Sequence, residues 1–182
     1  MGRLNFERLG LLKLFVPELF EEPGDILYVG AYIRRFFGSG ALYEVGNKLT
    51  VLEAWPKSVE ELKASRFRGR CKEIVVGDVK NAVQLFGENS FDYALWFHGP
   101  EHVPPTALTP SIKALEAITR KTVVLTCPWG KLRQDIVYGN PFNEHKGHYY
   151  PIDFARLRYR TACIGPPDRA GSQLQAWKRL KG

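Results

Sequence analysis

The chain has 182 residues, 45% of them hydrophobic, which is enough for a domain with a full apolar core and excludes intrinsic disorder. Its three cysteines have no paired spacing, so the sequence argues for a reducing compartment and against a disulfide framework or a zinc module. Lysine and arginine number 26 against 19 acidic residues, giving a net charge of +7. A nucleic-acid partner is compatible with that charge, but a solvated basic rim explains it more simply.

The first feature along the chain is an apolar stretch at residues 9–20, interrupted by charged residues and a proline. It is too short to span a bilayer, and no small-residue cleavage site follows it. We therefore expect a soluble, cytoplasmic protein with no membrane partner. No repeat or linker-like composition appears, so we predict one domain over residues 1–182. Residues 1–22 are expected to form a helical extension that serves either as a dimer contact or as a lid.

Apolar, β-rich runs then alternate with helical patterns. Five runs are nearly unbroken in their hydrophobicity, which is typical of parallel strands covered on both faces: Asp25–Gly30, Lys48–Glu53, Glu73–Gly77, Phe91–Trp96 and Thr122–Cys127. Three helical patterns lie between them: Ser58–Ser65, Asp78–Phe86 and Ser111–Arg120. The alternation predicts an α/β fold with right-handed crossovers and a doubly wound, mostly parallel sheet.

The last part of the chain has a different pattern. Residues 130–150 are irregular and rich in Asn, His, Gly and aromatic residues, which is typical of a substrate or lid loop. Two strand candidates follow, Tyr159–Ile164 and Ser172–Leu180, and the turn-rich gap between them is too short for a helix. We therefore predict that the sheet ends in an antiparallel hairpin.

Candidate ligand-binding residues stand where the strands end, the edge at which open α/β sheets bind ligands. Glu53 ends the second strand, 23 residues after Gly30, a spacing at which an acid accepts hydrogen bonds from a ribose diol. Asp78 follows the third strand and could receive the amino edge of an adenine, and Trp55 and Phe97 offer apolar faces for a flat ring. An acid at a strand end is equally explained as a helix N-cap, and Asp78 fits that alternative best.

Several further sequence motifs are found in addition to the glycine turn at Gly30 and the acids Glu53 and Asp78. They are Glu101-His102-Val103, Cys127-Pro128-Trp129-Gly130, Gln134-Asp135, Gly139-Asn140-Pro141-Phe142, His145 and the terminal run Gly171–Lys178. With these, the chain from about residue 20 onward resembles the class I S-adenosylmethionine-dependent methyltransferases, in particular a small bacterial subgroup. The resemblance implies a Rossmann-like sheet and S-adenosylmethionine as cofactor. It implies cofactor contacts from these residues: Gly30, Ala31, Tyr32, Glu53, Ala54, Trp55, Gly77, Asp78, Val79, Phe97 and His98.

The first motif departs from the family pattern. Tyr28 stands where the family has an acid, and Tyr32 stands where it has a second glycine. A glycine there allows the backbone to approach the ligand closely and to adopt positive φ. Arg34 could pair with the cofactor carboxylate instead.

The catalytic candidates are His102, Glu101 and His145. Neutral imidazole titrates near working pH, which suits a base that removes a proton from the methyl acceptor, and His98 and His148 are further candidates. We favour His102 because it follows the fourth strand, with Glu101 orienting it. The alternative is that His102 only caps or packs at a turn.

The loop at residues 130–150 also allows a metal interpretation. His145 and His148, with Glu144 and Asp135, are ligand types for a divalent ion. No helix is predicted beneath them to fix their geometry, so we expect no metal. We expect instead that aromatic residues fold the loop over the substrate: Phe142, Tyr149 and Tyr150.

The resemblance implies a methyltransferase that acts on an oxygen or nitrogen of a small metabolite or glycan. A catalytically inert methyltransferase-like domain that binds a nucleotide, RNA or a protein partner is the alternative, favoured by the net charge and the altered glycine turn. A nucleotide-binding enzyme of different chemistry on the same architecture stays possible, because fold does not fix function.

Overall fold

The computed structural model of the chain describes residues 10–22, 24–30 and 49–180. Seven strands form one sheet: β1 (Ile26–Val29), β2 (Leu49–Glu53), β3 (Cys71–Val76), β4 (Phe91–Phe97), β5 (Thr119–Pro128), β6 (Arg160–Ile164) and β7 (Gln173–Arg179). The α-helices with assigned bounds are α1 (Glu18–Glu21), α2 (Pro56–Ala64), α3 (Ala82–Phe86), α4 (Pro105–Ile118) and α5 (Pro151–Ala155). Residues 10–15 are also helical.

The strand order is β3-β2-β1-β4-β5-β7-β6. Strands β1–β5 are parallel to one another, and β7 runs antiparallel to both β5 and β6. The order reverses between β1 and β4, which places the switch point of the sheet at the carboxyl ends of these two strands. The prediction of a mostly parallel, doubly wound sheet ending in an antiparallel hairpin is confirmed.

The helix boundaries differ from the sequence-based prediction. Helix α4 begins at Pro105 rather than Ser111, with Pro110 inside it, and its last residue is Ile118. Pro105 occupies the first helical position, where its missing N–H has no intrahelical partner to lose. The single helix predicted over Asp78–Phe86 is a 3₁₀ turn followed by the short helix α3. Helix α5, in a stretch for which no helix was predicted, is a further difference.

The sheet buries both faces, because successive strand residues point to opposite sides. Leu27 and Val29 of β1 pack on one face with the apolar side of α4, whereas Ile26 and Tyr28 pack on the other with α2. Residues 10–22 also lie against the second face. There, the Phe15 ring stacks on Trp177 of β7 with centroids 4.6 Å apart, and Arg179 pairs with Glu18 at 2.8 Å.

Within the described ranges, no helix is both long enough and apolar enough to cross a membrane.

Candidate active site

The carboxyl ends of four parallel strands meet at one edge of the sheet. The Gly30 amide donates to the Leu52 carbonyl at 2.9 Å, and the Gly77 amide donates to the Glu53 carbonyl at 3.0 Å. Val29 lies beside Trp96 in the register of β1 and β4, so Gly30 and Phe97 follow directly on neighbouring strands. Gly30, Glu53, Gly77 and Phe97 are therefore brought to one edge. Ala31, Tyr32 and Arg34 lie outside the described residues.

Gly30 has a left-handed backbone, with φ of +74°. Side chains with a Cβ rarely adopt that conformation, so glycine is required for the backbone itself. Among the described residues, no atom lies within 4 Å of the position a Cβ would take. The described residues therefore leave the Cα of Gly30 uncovered at the turn after β1.

Glu53 is a buried carboxylate at the end of β2, only 6% exposed. Its Oε1 accepts a hydrogen bond from the Trp55 amide at 2.9 Å, and the Ala54 amide also bonds to the carboxylate. Burial raises the pKa of Glu53, although the two amides act in the opposite direction. A carboxylate offers about four acceptor positions. The two amides leave capacity for further donors.

Tyr28, at the position where the family pattern has an acid, is a core residue. Its ring is 5% exposed and meets Phe97 edge-on, with centroids 5.7 Å apart. Burial, together with the nearby charge of Glu53, raises the pKa of its hydroxyl. Tyr28 therefore packs beneath the edge as a protonated phenol.

Structural contacts are made by the residues that follow β3 and by Trp55 after β2, and for Asp78 this is the capping role that the sequence left as the alternative. Asp78 is half-exposed and caps the following 3₁₀ turn, accepting a hydrogen bond from the Lys80 amide at 3.0 Å. Val79 is buried in the core. Trp55 is half-buried, and the Lys57 ammonium lies 5.6 Å from its ring centroid. A cofactor contact from these residues remains a proposal.

A sharp turn follows β4. His98 has a left-handed backbone with φ of +50°, which is uncommon for a residue with a side chain and costs about 1 kcal/mol. Its amide donates to the Thr126 carbonyl of β5 at 2.8 Å. Gly99 must be a glycine because a Cβ there would overlap the indole of Trp96. The turn delivers Pro100, Glu101 and His102 as a single 3₁₀ turn.

Glu101 is the acidic residue of this turn, and its side chain is buried, with 2% exposed. Neither carboxylate oxygen has a hydrogen-bond partner of good geometry among the described residues. The nearest side-chain nitrogens are His98 Nδ1, 3.3 Å from Oε1, and His102 Nε2, 3.9 Å from Oε1. Burial opposes ionisation of Glu101, but the two imidazoles outweigh it and lower the pKa of the carboxyl.

The loop at residues 130–150 is tied to this turn by backbone hydrogen bonds. The amides of Lys146 and Gly147 both donate to the Glu101 carbonyl, at 2.7 and 3.0 Å. These bonds place His145 beside His102, with ring centroids 5.1 Å apart. Glu101, His102 and His145 each present a ligand atom within 4.8 Å of the others. The three predicted catalytic residues therefore form one cluster.

Both histidines of the cluster are oriented by backbone carbonyls. Nδ1 of His102 donates to the Glu144 carbonyl at 3.1 Å, and Nδ1 of His145 donates to the Leu132 carbonyl at 2.6 Å. With Nδ1 carrying the proton, the lone pair of each neutral ring is on Nε2. Burial lowers the pKa of His102, which favours the neutral ring, although Glu101 acts in the opposite direction.

Two contributors to this site were missed in the sequence. Gln173 of β7 is buried, and its amide nitrogen lies 3.3 Å from Nε2 of His98. With that amide donating to Nε2, the proton of a neutral His98 is on Nδ1 and faces Glu101. The main-chain carbonyls that orient His102 and His145 were also missed. A polar residue in a buried strand was the one available signal for Gln173.

The remaining loop residues divide between core and surface. Tyr149 is 5% exposed and packs on Phe154, so it belongs to the core rather than to a lid. Phe142 and Tyr150 are exposed, as is His148, which does not join the cluster. Cys127 is fully buried, and burial raises the pKa of its thiol, so it is not an activated nucleophile.

No family model matches the sequence, and the curated proteins give no match. Solved structures are similar over nearly the whole chain. One is the Burkholderia thailandensis 1,6-didemethyltoxoflavin-N1-methyltransferase, solved with 1,6-didemethyltoxoflavin and S-adenosylhomocysteine. It is 17% identical, with 99% of this chain and 79% of that one covered and a TM-score of 0.65.

Two further structures show the same similarity. The N-terminal domain of EvdMO1, solved in the presence of S-adenosylhomocysteine and D-fucose, is 14% identical, with 99% and 84% of the two chains covered and a TM-score of 0.66. The N-methyltransferase NodS from Bradyrhizobium japonicum is 13% identical, with 98% and 97% covered and a TM-score of 0.62. At these identities the similarity concerns the fold. The chain therefore has the fold of the class I S-adenosylmethionine-dependent methyltransferases.

Proposed function

We propose that this chain is an S-adenosylmethionine-dependent methyltransferase acting on an oxygen or nitrogen of a small metabolite or glycan. The observation that carries the proposal is the buried Glu53 carboxylate at the carboxyl edge of the sheet, close to the left-handed turn at Gly30. Ligands of open α/β sheets bind at this edge, and an acid at the end of the second strand is suited to a ribose diol.

The solved structures of the same fold support the choice of ligand. Two of them were solved with S-adenosylhomocysteine, one together with 1,6-didemethyltoxoflavin and the other in the presence of D-fucose. Those molecules are a heterocycle and a sugar. They motivate an acceptor of similar size for this chain.

The described residues fit this cofactor. No described residue covers the Cα of Gly30, which would let a ligand approach the backbone there, and Glu53 keeps acceptor capacity for hydroxyl donors. Glu53 would hold the ribose, while Trp55 and Phe97 would border the base and Asp78 would lie at its amino edge. When bound, S-adenosylmethionine supplies a methyl group already activated by the sulfonium. The protein therefore has mainly to position the acceptor and to remove its proton.

The cluster of Glu101, His102 and His145 after β4 would accept the proton that the acceptor loses. Nε2 of His102 carries a lone pair, because its Nδ1 donates to the Glu144 carbonyl. Glu101 lies 3.9 Å from that nitrogen and would stabilise the imidazolium formed when the proton is taken. His145, packed against the His102 ring, restricts its orientation.

Calorimetry with S-adenosylmethionine and S-adenosylhomocysteine tests the proposal. Saturable binding of both by the wild type is expected, with binding weaker by at least about tenfold in Glu53→Ala. Absence of binding at high micromolar ligand would contradict the assignment as an enzyme.

A catalytically inert module is the second candidate, favoured by the core position of Tyr28, where the family pattern has an acid, and by the net charge of +7. It predicts RNA binding that weakens steeply with salt, without cofactor binding. Filter binding of a single-stranded RNA at two salt concentrations, run beside the calorimetry, separates the two candidates.

A further inference from the structure

We infer that Glu101, His102 and His145 form a binding site for a divalent transition-metal ion. Sequence spacing gave no such site, because the ligands come from two segments that only the folded loop brings together. This inference departs from the expectation of no metal, which was argued from His145 and His148 with Glu144 and Asp135; only His145 belongs to both sets. In the part of the chain that the structure describes, Asp135, Glu144 and His148 do not join this cluster.

The geometry is that of a nearly assembled site. The three ligand atoms lie within 4.8 Å of one another, and the closest described pair, Glu101 Oε1 and His102 Nε2, is 3.9 Å apart. Ligands on a tetrahedral zinc ion are separated by roughly 3.3 Å, given bonds of about 2.0–2.1 Å. Side-chain rotations that draw the atoms together by about 1.5 Å at most would therefore complete it.

The second observation is the state of the Glu101 carboxylate. It is 2% exposed; Nδ1 of His98 lies 3.3 Å from Oε1, and Oε2 has no hydrogen-bond partner among the described residues. A buried polar group without a partner is unfavourable, and a buried carboxylate is normally paired or bound to a metal. The imidazoles that face it present nitrogen atoms, so a cation between them would satisfy all three side chains.

The histidines are also oriented as metal ligands usually are. A ligating imidazole typically donates its second N–H to a carbonyl or carboxylate, which fixes the ring and its tautomer. His102 and His145 donate Nδ1–H to the carbonyls of Glu144 and Leu132, leaving Nε2 of each for the ion. The two amides that bond to the Glu101 carbonyl hold the segments in register.

Two imidazoles and one carboxylate define the class of ion. Nitrogen and oxygen donors of this kind suit Zn²⁺, Co²⁺, Mn²⁺ or Fe²⁺ rather than Ca²⁺, which takes oxygen ligands. Three protein ligands leave positions open for water or an acceptor atom, as in catalytic rather than structural sites. His98, whose Nδ1 lies 3.3 Å from Glu101 Oε1, would position the carboxylate.

The role of the ion, unlike its binding, rests on the proposed function. With the ion bound, His102 Nε2 is a ligand and is no longer free to accept a proton. A hydroxyl or amine of the acceptor on an open position would instead lose its proton to solvent water more readily, because a bound cation lowers the pKa of its ligands, and the ion would then take over the role given to His102 in the proposed function.

The test is titration of the chelator-stripped full chain with Co²⁺, followed by absorption spectroscopy, and with Zn²⁺ in calorimetry. We expect one ion per chain, with cobalt d–d bands and no thiolate charge-transfer band. Glu101→Gln and His145→Gln should each weaken binding by at least about tenfold. His148→Gln, a matched change at an exposed histidine of the same loop, should bind as the wild type does.

Absence of saturable one-to-one binding would overturn the proposal. Wild-type affinity in both Glu101→Gln and His145→Gln would also overturn it, as would loss of binding in His148→Gln. Circular dichroism confirms that each variant is folded. Binding of S-adenosylhomocysteine to the stripped protein is measured in parallel. Cofactor binding without metal binding rejects only the ion site, whereas metal binding without cofactor binding rejects only the proposed function.

Discussion

Glu53 ends β2 and Glu101 follows β4, the two strands on either side of β1; both glutamates are buried, but their surroundings differ. Glu53 accepts hydrogen bonds from main-chain amides, and burial raises its pKa. Glu101 lies between two imidazoles, which lower its pKa despite its burial. The same side chain at similar depth is thus suited to neutral hydroxyl donors at one strand end and to cationic partners at the other. The groups that surround each glutamate, rather than the residue type, determine which ligands it suits.

The largest effect is expected on the rate of methyl transfer, from substitution of His102 in the turn after β4. His102→Ala should slow methyl transfer by about 10²- to 10⁴-fold, because a positioned base or an ion ligand is lost, while the affinity for S-adenosylhomocysteine stays unchanged. Transfer of a tritiated methyl group, measured with whichever member of a sugar and heterocycle panel the wild type methylates, checks this. A loss of cofactor affinity in His102→Ala as large as its loss of rate would contradict separate roles for Glu53 and the cluster after β4.

The next largest effect is expected on cofactor affinity, from substitution of Glu53 at the end of β2. Glu53→Ala should weaken S-adenosylhomocysteine binding by about 10- to 100-fold, since charge-assisted hydrogen bonds to the ribose are removed. The matched variant Glu101→Gln should leave this affinity within about twofold of the wild type, because its contacts are with the histidines. Calorimetry measures both. Similar losses in the two variants would contradict the division of roles.

The pH dependence of cofactor affinity sharpens the comparison further. Ionised Glu53 is the stronger acceptor, and its pKa is raised, so affinity should fall as pH is lowered through that raised pKa. The fall should therefore begin above the pH at which an ordinary glutamate, of pKa about 4.3, titrates. Calorimetry across pH 5 to 8 gives the profile. Glu53→Gln should flatten it, and a profile unchanged by that substitution would assign it to another group.

The smallest effect concerns stability. An acid with a raised folded-state pKa stabilises the protein as pH falls through that pKa, so at neutral pH ionised Glu53 is destabilising. Glu53→Gln should increase the free energy of unfolding at pH 7 by on the order of 1 kcal/mol, a gain in stability at the expense of ligand binding. Urea unfolding at pH 7 and pH 5 measures it. The difference should shrink at the lower pH, and destabilisation at pH 7 would contradict the burial argument.

The sequence predicted the sheet well, because five unbroken apolar runs and a short turn-rich gap allow few topologies. It also predicted that Glu53 ends the second strand, whereas its contact with a cofactor stays a prediction. It was wrong about the start of α4, since Pro105 and Pro110 favoured a later boundary whereas the helix accommodates both. Glu101, His102 and His145 were named as candidates, but the contact that joins them was not predictable, because main-chain bonds between distant segments have no sequence signature.

The stacking of Phe15 on Trp177 has a consequence for how the chain folds during synthesis. Arg179 and Glu18, which pair beside that stack, are 161 residues apart in sequence. At about 5–20 residues per second, translation leaves the early segment without its native partner for on the order of ten seconds. Contacts of such long separation also form late, since loop closure precedes them. Residues 10–22 are thus accessible to a chaperone until β7 has been synthesised.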